Sequence, residues 1–264
     1  MYLGALVSRN ILMLVALLAI SYCVSLHAEL SPEAQVSKNM GMVLYNKSKA
    51  ISAIPFLEAA SVAVDPEAKF FLGEAIRKKN RFITREAYQW YKASAEGGNY
   101  YAMLRLAANE SDICSLIGKC PSGTQESRHW LDHALAIAEP KAEMGDAEAM
   151  YIMHHITGSR EWLEKSAEAG HVIAQYWLGV AYNEGDGFFL FPWERRKTIK
   201  DWFKASAEGG YPKGMMEYVS ILYEEGDMDG ARKWTRKASE AGLEGAITNY
   251  AAYLAHEPDM LGPA

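Results

Sequence analysis

Only three cysteines stand in 264 residues, and basic side chains are outnumbered by acidic ones, 27 to 33. That balance argues against nucleic acid, whose phosphates demand clustered Lys and Arg, and it favours a basic partner or plain solubility. The motifs of common chemistries are missing as well. There is no Gly-x-Ser-x-Gly, no Walker-type glycine loop, no His-Glu-x-x-His and no Ser-x-x-Lys, so no catalytic residue, cofactor or metal is expected. Asp227-Met-Asp229-Gly230 superficially resembles a calcium loop, but the third acidic position and the later Glu do not follow the twelve-residue pattern, and a tight inter-helix turn is the better account.

Acid is absent from residues 1–28, which carry one basic residue, Arg9, then the apolar run Ile11 to Ile20, then a small and polar stretch ending at Ala28. This is the layout of a secretory signal. Cleavage after Ala28 is the preferred reading and gives a mature chain of residues 29–264 exported to the periplasm. An uncleaved anchor facing the periplasm stays open because Leu26 is large for the minus-three position, and Cys23 leaves a lipoprotein site open although Tyr22 is bulky for one. In an oxidising compartment Cys114 and Cys120 are expected to form a disulfide across a long connection. A zinc site there would need two further ligands, and the nearest histidines, His129 and His133, belong to the next helix.

What is abundant is repetition. Trp90, Trp130, Trp162, Trp202 and Trp234 recur in phrases such as WYKASAEGG, WLEKSAEAG, WFKASAEGG and WTRKASEAG. In four of the five a glycine follows eight positions on (Gly98, Gly170, Gly210, Gly242), and after Trp130 it comes at Gly145. A period of 30 to 40 residues marks units too small to bury their own apolar face, which must stack on their neighbours. Each unit reads as two helices. The second contains the tryptophan, expected to fill the core between hairpins; the glycine supplies a left-handed C-terminal cap. The first helix opens four residues later on a small residue: Ala102, Ala149, Ala174, Gly214 or Ala246. Ala174, Leu178, Gly179 and Tyr182 share one helix face, where small side chains let backbones approach.

An earlier, degenerate unit places Phe56 twelve residues before Ala68, as Trp90 stands twelve before Ala102, so six helical pairs are expected with a last helix from Ala246, closed by Pro258, as the cap. The Trp130 helix should be about two turns longer than its equivalents. The first helix of the next unit must end by Thr157-Gly158, which leaves a notch.

Ala-x-x-x-Leu-Gly at Ala68/Leu72/Gly73 and Ala174/Leu178/Gly179, together with the Trp-x-x-(Lys)-Ala/Ser-x-Glu-x-Gly phrases, resembles the Sel1-like repeat family, relatives of the tetratricopeptide repeats. The resemblance covers nearly all of residues 29–264 and implies an all-α, right-handed solenoid of about six antiparallel hairpins behind an N-terminal signal helix. It is weak for function, since such repeats host many partners. The export signal, a short chain filled by divergent repeats and the missing catalytic motifs together resemble periplasmic Sel1-repeat immunity proteins against type VI secretion lipase or phospholipase effectors. The resemblance implies occlusion of a toxin by a rigid curved surface. A periplasmic adaptor or scaffold is the alternative, and a cell-wall or β-lactam hydrolase the least supported.

Two features stand outside the repeat. In the connection Gly185 to Lys197, Phe188, Phe189, Leu190, Phe191 and Trp193 crowd into six positions followed by Arg195 and Arg196. Two glycines and a proline forbid a helix through it. Aromatics with arginine make interface hot spots, but a long loop also folds back and buries its aromatics, so some of the five are expected to do each. The second is His154-His155, with His154 at the Gly179-equivalent place. Adjacent helical residues point about 100° apart, so one packed and one exposed histidine is expected before a shared ligand or base site.

Overall fold

The computed structural model describes residues 30–62, 65–108 and 125–256. The expected signal segment, Cys114, Cys120 and Pro258 lie outside the described residues. Within them all regular structure is helical: α1 (Pro32–Asn46), α2 (Ala50–Ser61), α3 (Pro66–Asn80), α4 (Arg85–Glu96), α5 (Tyr100–Ala107), α6 (Gln125–Glu143), α7 (Ala147–Thr157), α8 (Arg160–Glu168), α9 (Val172–Asn183), α10 (Pro192–Glu208), α11 (Pro212–Glu224), α12 (Met228–Glu240) and α13 (Glu244–His256). Each helix packs on its neighbours in the chain, and α1 also meets α3 as α9 meets α11. Six antiparallel hairpins followed by a single closing helix therefore form an α-solenoid, with apolar clusters succeeding one another along the chain.

The hairpins are built by a few local devices. Gly98, Gly145, Gly170, Gly210 and Gly242 all have φ between +91° and +93°, a conformation that L side chains avoid, and they turn the chain from second helix to first. The next residue often caps the new helix, as Asn99, Asp146 and His171 accept from the backbone N–H of Ala102, Ala149 and Ala174. Those alanines, with Ala68 and Ala246, are fully buried. Adding a Cβ at Gly214 would bring it against Ser206, and at Gly179 within 2.8 Å of the Phe203 ring.

Inside the tryptophan phrase a serine four residues on is completely buried. Ser94, Ser166 and Ser206 each donate from Oγ to the carbonyl of a first-helix N-terminal residue, Pro66, Ala147 and Val172, at 2.5 to 2.7 Å. This bond satisfies a buried hydroxyl and fixes the two helices of a unit in one register.

The tryptophans are not the innermost residues. Trp90, Trp162, Trp202 and Trp234 are half-buried against the flanks of the core clusters, whereas Tyr91, Leu163, Phe203 and Thr235, one residue on, are enclosed. Likewise Phe56 is 40 % exposed and Leu57 is fully buried. Trp130 differs because it lies eight residues before Ala138, on the buried stripe Trp130, Ala134, Ala138 and Ala142 of the 19-residue α6. It stands two turns away from the place that the other tryptophans flank.

The short unit is present: α7 ends at Thr157, with Gly158 in the left-handed conformation (φ +69°). Asp227 accepts from the Gly230 N–H at 2.9 Å, so that segment is the N-cap of α12.

The two ends of the solenoid meet. Gly242, in the α12–α13 turn, faces the α1–α2 turn so closely that a Cβ there would lie 2.5 Å from Lys47 Cα and 2.6 Å from the Asn46 carbonyl. Asn46 to Ser48 also share a hollow with Gly210 to Lys213. The curvature accumulated over six hairpins thus returns the chain to its first turn.

Candidate partner-binding surfaces

The aromatic connection is a pinned loop with apolar side chains on its outside. Arg195 donates to the carbonyls of Tyr182, Asp186 and Gly187, each at 2.8 Å, and its guanidinium lies 4.8 Å from the Phe189 ring centre. Phe189 in turn meets Tyr182 edge-on at 5.5 Å. From the short unit, Arg160 pairs with Asp186 as well as Glu164 and stacks over Tyr182, so the loop base is tied to the preceding hairpin. Phe189 and Arg195 therefore belong to the foundation of the loop. Phe188 is 91 % exposed, Leu190 69 %, Trp193 64 % and Phe191 40 %, and Phe191 and Trp193 stack on each other at 4.3 Å, nearly parallel.

The expectation that no helix runs through this connection is corrected for its end. Proline is tolerated at the first position of a helix, where its missing N–H would have had no partner. So α10 begins at Pro192 and carries Trp193 in its first turn. Arg196, with Pro192 and Arg195 of the loop base, lines an adjoining groove of about 390 Å³ that also holds Glu217, Phe203 and Ile221.

His154 and His155 do not converge on this loop. The Nδ1–H of His154 donates to the Ser159 carbonyl at 2.9 Å, closing the turn that ends α7. His155 Nε2 lies 3.0 Å from the Tyr151 hydroxyl, and partial burial together with the neighbouring His154 holds its pKa below the ordinary imidazole value.

A second surface, which the repeat phrases do not announce, runs along the first helices of successive units. A hollow of about 630 Å³ is lined from α1 to α9, by Lys38, Glu67, Phe70, Tyr101, Glu148 and Ile173 among others. Phe70, Phe71, Tyr100 and Tyr101 give it an aromatic wall, with Phe70 6.0 Å from Tyr101. Outside the hollow, farther along the chain, Tyr151 stacks on His171 at 4.6 Å and Tyr176 meets Tyr211 edge-on at 5.3 Å. Lys38 is held by Asp65 and Glu67 at 2.9 and 2.8 Å. Glu148, which solvent still reaches, has its carboxyl pKa raised by partial burial and then by the charges of Asp146 and Glu67. Outside this hollow, burial raises the Glu217 carboxyl in the groove of Arg196 and pushes the Tyr151 hydroxyl up to about 12. A carboxylate made costly in this way gains most from an incoming cation.

Spacing held a signal for this side of the first helices. Phe70, Tyr151 and Tyr176 stand two residues after Ala68, Ala149 and Ala174, while Glu67, Tyr101, Glu148 and Ile173 each stand one before a small opener. Tyr151 is enclosed in the core, and the others stay at least partly open to solvent.

No signal announced Glu74. It is 4 % exposed and accepts from Tyr45 (3.1 Å), Tyr91 (2.8 Å), Arg77 (2.9 Å) and Arg105 (2.9 Å). Burial opposes its charge, but Arg77, Arg105 and Tyr91 outweigh that and hold its carboxyl below the ordinary range. It is a structural tie across three units. Among the described residues no group of three His, Cys, Asp or Glu side chains is arranged to hold a metal ion.

Stacked hairpins, with a pinned aromatic loop and an aromatic hollow along their first helices, define the class: an α-solenoid. No family model matches the chain. Among solved structures it is similar to a Sel1 repeat protein from Oxalobacter formigenes, with 21 % identity over 84 % of this chain and 66 % of that one and a TM-score of 0.42. It is also similar to a protective antigen of uropathogenic Escherichia coli with an SLR fold, at 18 % identity, 85 % and 57 % coverage and a TM-score of 0.35. A MamA RS-1 double mutant is similar at 14 % identity, 80 % and 96 % coverage and a TM-score of 0.26. The chain spans less than two thirds of the length of the first two of these proteins.

Proposed function

We propose that the chain is an exported, periplasmic protein-binding solenoid that acts as an immunity protein, binding a type VI secretion lipase or phospholipase effector and covering its substrate entrance. The observation that carries the binding role is the loop from Gly185 to Trp193. Four large apolar side chains face outward on a base fixed by Arg195 and Arg160. Anchors already held in place lose little entropy on binding, which is what turns exposed area into affinity. The excess of acidic over basic side chains, 33 to 27, suits a partner with a basic surface. The export reading rests on the residue layout of positions 1–28, and the lipase effector on the resemblance to periplasmic Sel1-repeat immunity proteins.

The test is inhibition of a lipase effector encoded beside this chain. The exported form should co-purify with the effector and abolish its hydrolysis of phospholipid. Replacing Phe188, Leu190, Phe191 and Trp193 together by Ala should weaken binding about 30-fold or more, as loss of interface anchors does, with an unchanged melting temperature. Undiminished binding by that variant removes the loop from the interface. An effector that remains active when saturated with this chain overturns the immunity role.

A further inference from the structure

The outer edge of the first two hairpins carries a charge opposite to that of the chain as a whole. A hollow of about 500 Å³ between the start of α2 and the end of α3 is lined by Lys49, Lys78, Lys79 and Arg81, with Ser48 and Ile51, and by no acidic side chain. Lys49, Lys79 and Arg81 are exposed and make no ion pair among the described residues. Lys78 lies 3.8 Å over the Tyr45 ring. Three of these cations sit at the C-terminal end of α3, where the helix dipole favours them, but Lys49 directly precedes α2, where the dipole opposes it. Ser48 and Arg81, the non-glycine residues with left-handed backbone in the described chain (φ +58° and +64°), both line this hollow.

Two bulky apolar side chains accompany the cations: Ile51, in the lining itself, is 66 % exposed, and Phe82, next in the chain to Arg81, is 54 % exposed. Cations beside exposed apolar groups match the layering of a bilayer surface, with phosphate outside and hydrocarbon just beneath. Nucleic acid fits less well. It needs a longer basic track, and the excess acid elsewhere would repel a polyanion laid across the molecule. A bilayer meets only one edge.

We propose that this edge docks on an anionic lipid surface, with Lys49, Lys78, Lys79 and Arg81 at the level of the phosphates and Ile51 and Phe82 entering the boundary beneath them. This contact is separate from the aromatic loop and does not depend on the immunity role. Each basic residue held near an anionic leaflet strengthens partitioning about fivefold.

The test is co-sedimentation of the full chain with vesicles of phosphatidylcholine alone or mixed with phosphatidylglycerol, in low and high salt. Any insertion of the apolar run Ile11 to Ile20 is common to every chain compared, so the readout is the difference between vesicle types. Retention on anionic vesicles should exceed that on neutral ones by about tenfold or more and fall with salt. Lys49→Glu, Lys78→Glu, Lys79→Glu and Arg81→Glu together should remove the difference at an unchanged melting temperature. Exchange of the three lysines for Arg should preserve it. Ile51→Ser with Phe82→Ser should lower retention on anionic vesicles. Equal retention on the two vesicle types, unchanged retention of either loss variant, or displacement by inorganic phosphate beyond its ionic-strength effect would overturn the proposal. Displacement by phosphate would assign a small-anion site instead.

Discussion

The second and fifth hairpins solve one packing problem with different chemistry. In α3 and α4 the ring of Tyr91 fills the space over Gly73, and in α9 and α10 the ring of Phe203 fills the space over Gly179; an added Cβ would come within 2.8 Å of either ring. The phenol of Tyr91 then reaches Glu74, where the fifth hairpin has Val180 after its glycine and no charge. The shape is retained while the bonding changes. Close approach of backbone and ring is thus the invariant requirement of the repeat, and the buried ion network is an addition local to the N-terminal units.

The sharpest break of this comparison is Glu74→Ala. It leaves Arg77, Arg105, Tyr45 and Tyr91 facing an empty acceptor site, and a cost of about 3–5 kcal/mol is expected in denaturant unfolding. The equivalent change, Val180→Ala, should cost about 1–2 kcal/mol, since it removes only partly buried methyl groups. Phe203→Ala should come next, at about 3–4 kcal/mol from cavity formation, and its neighbour Trp202→Ala should cost only about 1–2 kcal/mol because that ring is half-buried. A larger loss for Trp202 than for Phe203 would reverse the assignment of the inner position.

The smallest effect concerns caps. The Asp146 cap of α7 is a carboxylate, whereas α9 is capped by His171, whose Nδ1 must be unprotonated to accept from Ala174 N–H at 3.2 Å. Burial lowers the His171 pKa below 6.5, so the folded state takes up its proton later than the unfolded chain as the pH falls. Its contribution is full above about pH 6.5 and is lost as the pH drops through the lowered folded value. His171→Asn keeps an acceptor that does not titrate there. The loss of melting temperature between pH 7 and pH 5 should therefore be smaller in this variant than in the parent, by the equivalent of about 1 kcal/mol or less.

The features legible in the sequence are those that act locally. A glycine eight residues after a tryptophan marks a left-handed turn, a small residue four further on marks a close crossing, and Thr157-Gly158 ends a helix; all of these depend on neighbours within one turn or hairpin. The pairing of Phe189 with Arg195 and the tie from Arg160 to Asp186 bridge separate stretches of chain, so composition alone left the loop divided between foundation and anchor. Periodicity failed on phase. Trp90 and Tyr91, like Trp202 and Phe203, recur at the same interval, and an interval does not reveal which of two adjacent residues, about 100° apart on the helix, points inward. Glu74 was out of reach for another reason, since its partners come from α1, α3, α4 and α5 and only stacking brings them together.

The touch between Gly242 and Lys47 sets a limit on how this molecule can evolve. An open spiral gains or loses a hairpin at modest cost, because each unit answers only to the next. A circuit that meets its own beginning has to keep its number of links: removing a hairpin opens a gap at the join, and inserting one drives Gly242 past the first turn. Divergence is then confined to what each link carries, its loops and outward side chains.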